Sequence, residues 1–78
     1  MEKTFNSEAM KFPKGSVMQG KIKHISKGRD AFIDLDESIC ECYSFLGDNH
    51  NYEEGARIKV TIIGHDWNRK TFRGKPIL

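Results

Sequence analysis

Hydrophobic and polar residues alternate in two segments of the chain, which is the pattern of half-buried β-strands. The clearer segment is residues 57–64, and residues 30–36 repeat the pattern with Phe32 on the side opposite the aliphatic positions. One side of each segment is therefore expected to point into a core. The expected inward positions are Ala31, Ile33, Leu35, Ile58, Val60 and Ile62.

Three further segments are rich in strand formers but less regular. Residues 16–26 contain Gly20, which indicates a bulge or a tight bend in a barrel. Residues 39–45 are predicted to form the third strand in chain order. Residues 70–78 predict a last strand at an edge or at a closure, because Pro76 cannot donate to a central ladder. The chain thus has five predicted strands.

Five short strands without a long helical pattern predict an all-β fold. A flat sheet of this size would leave its edges unpaired, so we expect a five-stranded Greek-key barrel of the oligonucleotide/oligosaccharide-binding (OB) class. The longest connection, residues 46–54, is rich in turn residues and lies between the third and fourth strands, which fits that barrel. An SH3-like barrel or a fragment of a sandwich is the alternative at this point.

Residues 1–12 show no clear period and are interpreted as an N-terminal arm, followed by a single domain of residues 13–78. Within the arm, residues 7–12 are compatible with one helical turn. The arm is either disordered or a small added element that covers one end of the barrel.

The composition agrees with one small globular domain of 78 residues, 37% hydrophobic and 31% charged. No apolar run reaches the roughly 18 residues of a membrane span, and the first residues lack the apolar region of a signal peptide. We therefore expect a monomeric, cytoplasmic protein without membrane attachment.

The net charge of +2 conceals three blocks of alternating sign. Residues 1–28 carry six Lys and two Glu (+4), residues 29–55 carry one Arg and eight acids (−7), and residues 56–78 carry six basic residues and one Asp (+5). A fold that joins the first and third blocks would form a basic surface suited to phosphates.

The residue types that carry catalysis or bind metals form no convincing constellation. Cys40 and Cys42 are interpreted as reduced, partly buried thiols, since their spacing would strain a disulfide. His24, His50 and His65 lack the spacing of a zinc site, and the chain has no Walker-type phosphate loop. We expect no metal, no cofactor and no enzymatic activity.

Three blocks of the sequence resemble the S-one domain, the RNA-binding repeat of the largest protein of the small bacterial ribosomal subunit. They are GSVMQGKIKHI (15–25), DAFIDL (30–35) and GARIKVTIIGHD (55–66), and the match extends over about residues 15–72. The resemblance implies an OB barrel in which the first strand pairs with the second and fourth, and the fifth lies between the third and fourth. It also implies a partner, single-stranded RNA, and a role in translation or RNA metabolism.

Aromatic residues on the barrel face would stack on bases. Phe32 is the first candidate, unless it only covers the outer surface; Tyr43 is the second, and Trp67 either stacks or caps one barrel end. Asp66 matches the aspartate that ends the family's fourth strand, and it either accepts a hydrogen bond from RNA or holds the following turn. The remaining aromatics, Phe5, Phe12, Phe45 and Phe72, are assigned mostly to packing, although Phe45, like Tyr43, is an alternative source of the contacts that the family makes with residues missing here.

Phosphate contacts would come from cations on the strands and on the two turns that flank the ligand face. The hypothesis rests on their convergence rather than on any one of them. The candidates are Lys21, Lys23, Lys27, Arg29, Lys59, Arg69, Lys70 and Arg73.

The alternative is a protein-interaction module with an S-one-like barrel. Arg29 and Asp30 stand where the family usually has Phe-Gly, and residues 42–45 replace its usual Val-His-Ile-Ser, so one aromatic and one histidine of the family are missing. Such a module would dock on a nuclease, a kinase or a polymerase, or mimic its substrate, and the acidic block would support it.

Overall fold

The structure, a computed structural model, describes the backbone of residues 2–77 and the side chains of residues 4–77. Met1 and Leu78, the outer ends of the expected arm and of the expected last strand, lie outside the described residues. The elements in chain order are α1 (Glu2–Lys11), β1 (Val17–Ser26), β2 (Asp30–Leu35), β3 (Glu41–Phe45), β4 (Arg57–Asp66) and β5 (Thr71–Pro76).

The five strands close into a barrel in the order β1-β2-β3-β5-β4. Four of the strand pairs are antiparallel, and β3 with β5 is parallel. The all-β prediction is confirmed, and the strand order is the one that the resemblance implies. Pro76 pairs with Val60 at the end of β5, so the proline stands at the end of a closing strand and does not break a ladder.

The core lies inside the barrel and is formed by alternate residues from every strand, together with Phe5 and Ala9 of α1 and with Cys40. All six expected inward positions on β2 and β4 are buried. The largest fully buried side chain is Phe72 of β5. The buried Ser44 hydroxyl donates to the carbonyl oxygen of Gly74 at 2.8 Å, which satisfies the polar group that β3 brings inside.

Of the two features predicted at Gly20, a bulge or a tight bend, the bulge is not found there. The pairing of β1 with β2 shifts between Ile22 and His24, so the bulge lies beyond Gly20. What Gly20 provides is a close approach of two backbones: a Cβ at this position would lie 2.3 Å from the Asp34 carbonyl oxygen. A glycine is therefore required here by contact and not by the bulge.

The first residues form a helix that packs on the barrel. In α1, Phe5 and Ala9 are buried, one helical turn apart on the same side. The Phe5 ring meets Trp67 edge to face at 4.7 Å and lies 6.0 Å from the Phe72 ring. Of the two forms considered for this segment, the structure has the ordered one, and the helix is longer than the single turn suggested for residues 7–12.

Smaller differences concern strand ends and the thiols. β3 begins at Glu41 instead of at residue 39, and β4 continues to Asp66. Cys40 and Cys42 are both free and buried.

No helix within residues 2–77 combines the length and the apolar character needed to cross a membrane. In the same range, no three His, Cys, Asp or Glu side chains are grouped in a way that could hold a metal ion.

Candidate nucleic-acid interface

Four side chains form a line across four strands on the outside of the barrel. His24 is paired with Phe32, Phe32 with Tyr43, and Tyr43 with Arg73, each directly across from the next. The His24 and Phe32 rings are stacked, with centroids 6.3 Å apart and planes at 17°, and the Phe32 and Tyr43 centroids are 5.7 Å apart. We call these four residues the transverse row.

Strand alternation explains why the row faces outward. Phe32 stands between the buried Ala31 and Ile33, and Tyr43 stands between the buried Cys42 and Ser44. Because side chains alternate across a strand, burial of the neighbours turns both rings to the outer surface, where each is half-buried. The row is thus a consequence of the same period-two pattern that forms the core.

Hydrogen bonds hold two of the three rings in place. The Tyr43 hydroxyl donates to Asp30 Oδ1 at 2.7 Å, and this bond raises the pKa of Tyr43. His24 Nδ1 lies 2.8 Å from Glu54 Oε2, which also accepts from the Ile25 amide at 2.9 Å. The hydrogen bond from the Ile25 amide and, to a smaller extent, the one to His24 lower the pKa of the Glu54 carboxyl group. The aromatic surface is therefore preorganised.

A pocket of about 450 Å³ lies beside the row and combines both charge signs. Arg69 and Arg73 are its cations, and Glu41 and Asp66 are its acids. An aromatic floor with cations at its margin suits bases and phosphates together. The full lining is Phe32, Glu41, Tyr43, Asp66, Arg69, Thr71 and Arg73.

Asp66 holds the turn between β4 and β5. Its Oδ1 accepts hydrogen bonds from the Asn68 and Arg69 amides at 3.0 and 3.1 Å. Its Oδ2 lies 3.9 Å from Arg69 Nε. Of the two roles considered for this aspartate, these bonds correspond to the turn-holding one, and they also place Arg69 at the pocket.

Two candidate lysines stand in strained turns at opposite ends of the barrel face. Lys27, between β1 and β2, has φ 53°, and Lys70, between β4 and β5, has φ 56°. A non-glycine residue in this left-handed region costs about 1 to 3 kcal/mol, and such strain is concentrated at functional sites. The resemblance implies that both turns flank the ligand face, and Arg69 of the β4–β5 turn does line the pocket beside the transverse row.

Two further candidates are engaged by acids. Lys23 Nζ donates to Glu41 at 3.0 Å, a bond that raises the pKa of Lys23. Arg29 lies 3.8 Å from Asp48, at the end of the face far from Arg69. Both pairs are exposed, so a phosphate can compete with either acid.

The other candidates lie outside the pocket. Lys21 stands between Asp34 of β2 and Arg57 of β4, and Lys59 is paired with Gln19 of β1. Trp67 packs on Phe5 of α1 and is half exposed. The basic blocks are neighbours through the β1–β4 and β4–β5 pairs, but the aromatic rings stand mainly on β2 and β3, within the acidic block.

Sequence reasoning missed three participants and misplaced one aromatic. Glu41, Thr71 and the His24 ring join the site through strand register, which the alternation alone does not give. Packing, the main role expected for Phe45, is wrong, because Phe45 is 58% exposed and has the outward orientation of Tyr43 on the same strand; its exposure agrees with the alternative role in ligand contact.

No protein-family model matches the chain, and no curated protein sequence matches it. Among solved structures, the intact alpha subunit of aIF2 from Pyrococcus abyssi is similar, with a TM-score of 0.67 and 19% identity over 81% of this chain and 28% of that one. The apo form of RNase R from Mycoplasma genitalium is similar with a TM-score of 0.73 and 14% identity over 96% of this chain and 15% of that one. The chain spans less than a third of either protein. Together with the strand order, these likenesses show that it folds as an OB barrel.

Proposed function

We propose that this chain is a small RNA-binding protein of the S-one type, which binds single-stranded RNA on the transverse row and acts in translation or RNA metabolism. It works by binding and not by catalysis. The observation that carries the proposal is the direct alignment of His24, Phe32, Tyr43 and Arg73 across four strands.

The row offers both parts of a single-strand site. Stacking of a base on an aromatic side chain contributes about 1 to 3 kcal/mol and tolerates any base. Arg73 at the end of the row and Arg69 on the adjoining turn supply charge for the phosphates. The names of the two similar structures, a subunit of aIF2 and an RNase, are compatible with a ligand of this kind.

Fluorescence anisotropy with a labelled, unstructured RNA of about ten nucleotides tests the proposal. Phe32→Ala should weaken binding about tenfold, because it removes the central ring of the row. The matched control is Val17→Ala, an exposed apolar residue on β1 that lines none of the described pockets. Its affinity should equal that of the wild type.

A second candidate function, docking on a protein, is favoured by the acids in the pocket. Glu41 and Asp66 stand beside the two arginines, and Asp30 is bonded to the central tyrosine. Such an arrangement also suits a partner with its own basic groups, on a nuclease, a kinase or a polymerase. Absence of RNA binding by the wild-type protein would leave this second function as the better one.

A further inference from the structure

Three adjoining pockets follow strands β3 and β5 along the barrel. The first is the pocket beside the transverse row, and the second, of about 260 Å³, shares Tyr43 and Arg73 with it. The third, of about 560 Å³, shares Phe45 and Lys75 with the second. The surface is therefore continuous from the turn between β4 and β5 to the loop between β3 and β4.

The alternation of two parallel strands gives this surface a repeated composition. Tyr43 and Phe45 point outward from β3, and Arg73 and Lys75 point outward from β5. Tyr43 and Arg73 are register partners. Phe45 follows Tyr43 by about 7 Å along the strand. Each aromatic ring on β3 is thus accompanied by a cation on β5.

The third pocket has the side chains that a nucleobase requires. Phe45 is its most exposed ring, and the His50 and Tyr52 rings, 6.1 Å apart, line it from the loop between β3 and β4. Asn49 and Asn51 add amides that can both donate and accept, which is what base edges require. None of the described residues that line this pocket is acidic, in contrast to the first pocket. The lining is Phe45, Leu46, Asn49, His50, Asn51, Tyr52, Lys75 and Pro76.

The loop that forms the wall is held in position. His50 Nε2 donates to the Gly28 carbonyl oxygen at 2.7 Å, and His50 Nδ1 accepts from the Tyr52 amide at 3.1 Å. One neutral tautomer of the imidazole satisfies both bonds. The Leu46 amide donates to the Arg29 carbonyl oxygen at 2.7 Å, which fixes the start of the loop. The pocket is formed before any ligand arrives.

We propose that the third pocket is a second base-binding site, so that single-stranded RNA leaves the transverse row and runs along β3 and β5. One base stacks on Phe45 and faces the amides of the loop, while Lys75 contacts its phosphate. This inference rests on the proposed function, since it extends the same ligand to a separate part of the barrel. It predicts that affinity depends on RNA length.

The test compares two RNAs, of about four and about ten nucleotides, by anisotropy. For the wild type, the longer RNA should bind at least tenfold more tightly than the shorter one. The double variant Phe45→Ala with Lys75→Ala should lose about tenfold in affinity for the longer RNA and leave the shorter one unchanged. Phe32→Ala should weaken both. The matched control is Val17→Ala with Lys14→Ala, one apolar and one basic residue, both exposed, outside the three pockets and outside the set of phosphate-contact candidates.

Failure of this inference differs from failure of the proposed function. Equal affinity of the double variant and the wild type for the longer RNA would overturn the second site while RNA binding itself stands. Absence of wild-type binding to both RNAs would overturn both proposals. Because Phe45 and Lys75 are exposed, the double variant should have the melting temperature of the wild type. A loss of RNA affinity would then come from the two missing side chains and not from unfolding. Amide NMR shifts at residues 49–52 with the longer RNA alone would support the site, and their absence would contradict it.

Discussion

The Tyr43 hydroxyl donates a 2.7 Å hydrogen bond to Asp30 Oδ1, and this bond fixes the ring that joins Phe32 to Arg73 in the transverse row. A phenol in this position has two separable roles, its ring for stacking and its hydroxyl for orientation.

Substitution of Tyr43 separates these roles. Tyr43→Phe keeps the ring and should reduce RNA affinity less than threefold, whereas Tyr43→Ala should reduce it about tenfold. Anisotropy titration of both variants measures the difference. An equal loss in the two variants would mean that the hydroxyl, and not the stacked ring, carries the interaction.

The salt dependence of binding reports on the arginines of the pocket. Contacts to about five phosphates of a single strand give a slope of log affinity against log salt of about −3.5. Arg69→Ala with Arg73→Ala should make this slope less steep by about 1.4, since two phosphates lose their cations. Lys14→Ala serves as the control, because Lys14 is an exposed cation that is not a phosphate-contact candidate and lines none of the described pockets. A slope that stays the same in the double arginine variant would remove both residues from the phosphate path.

The close approach of β1 to β2 at Gly20 can be tested by substitution, with Gly64 of β4 as the matched control. At Gly20 a Cβ would lie 2.3 Å from the Asp34 carbonyl oxygen, whereas at Gly64 it would meet nothing within 4 Å. Gly20→Ala should therefore destabilise the protein by about 1 to 3 kcal/mol, and Gly64→Ala should have little effect. Thermal unfolding should show a shift of about 4 to 8 °C for each kcal/mol. Equal melting temperatures would show that the strands separate at no cost.

The Cys42 thiol should be protected from alkylation. Burial, aided by the charge of Glu41, raises the pKa of Cys42 to about 12, and its side chain is fully buried. The reactive thiolate is then almost absent at pH 8. In a Cys40→Ser variant, iodoacetamide should leave the folded protein unmodified and label it after unfolding in urea, as mass spectrometry would show. Rapid labelling of the folded variant would indicate that β3 opens readily.

The strands were predictable because their pattern is local. Ile58, Val60 and Ile62 repeat at the period that a strand imposes, and their inward orientation needs no other part of the chain. Helix α1 lacked such a signal. The buried side of α1 consists of few residues. The helix is stabilised by contacts of Phe5 with Trp67 and Phe72, which are distant in the sequence.

The site was predictable only in part, for a related reason. Phe32 and Tyr43 follow from alternation, but the pairing of Phe32 with His24 depends on the register shift after Ile22. The net charge of a sequence block also does not indicate on which face of the barrel its charged side chains lie. Lys21, for example, belongs to a basic block, although its neighbours on the adjacent strands are Asp34 and Arg57 and it does not line the pocket.

The parallel pair of β3 and β5 has a consequence for how the chain folds during synthesis. The last strand along the chain lies between β3 and β4, and it brings Phe72 into the centre of the core. Until Thr71–Pro76 have left the ribosome, both neighbouring strands have an unpaired edge and the core lacks its largest side chain. Since pairing of strands that are distant in sequence is slow, we expect folding to be late, cooperative and completed only after translation has passed β5. Before that moment the nascent chain exposes edges on which other chains can add, and these are where a chaperone would be needed.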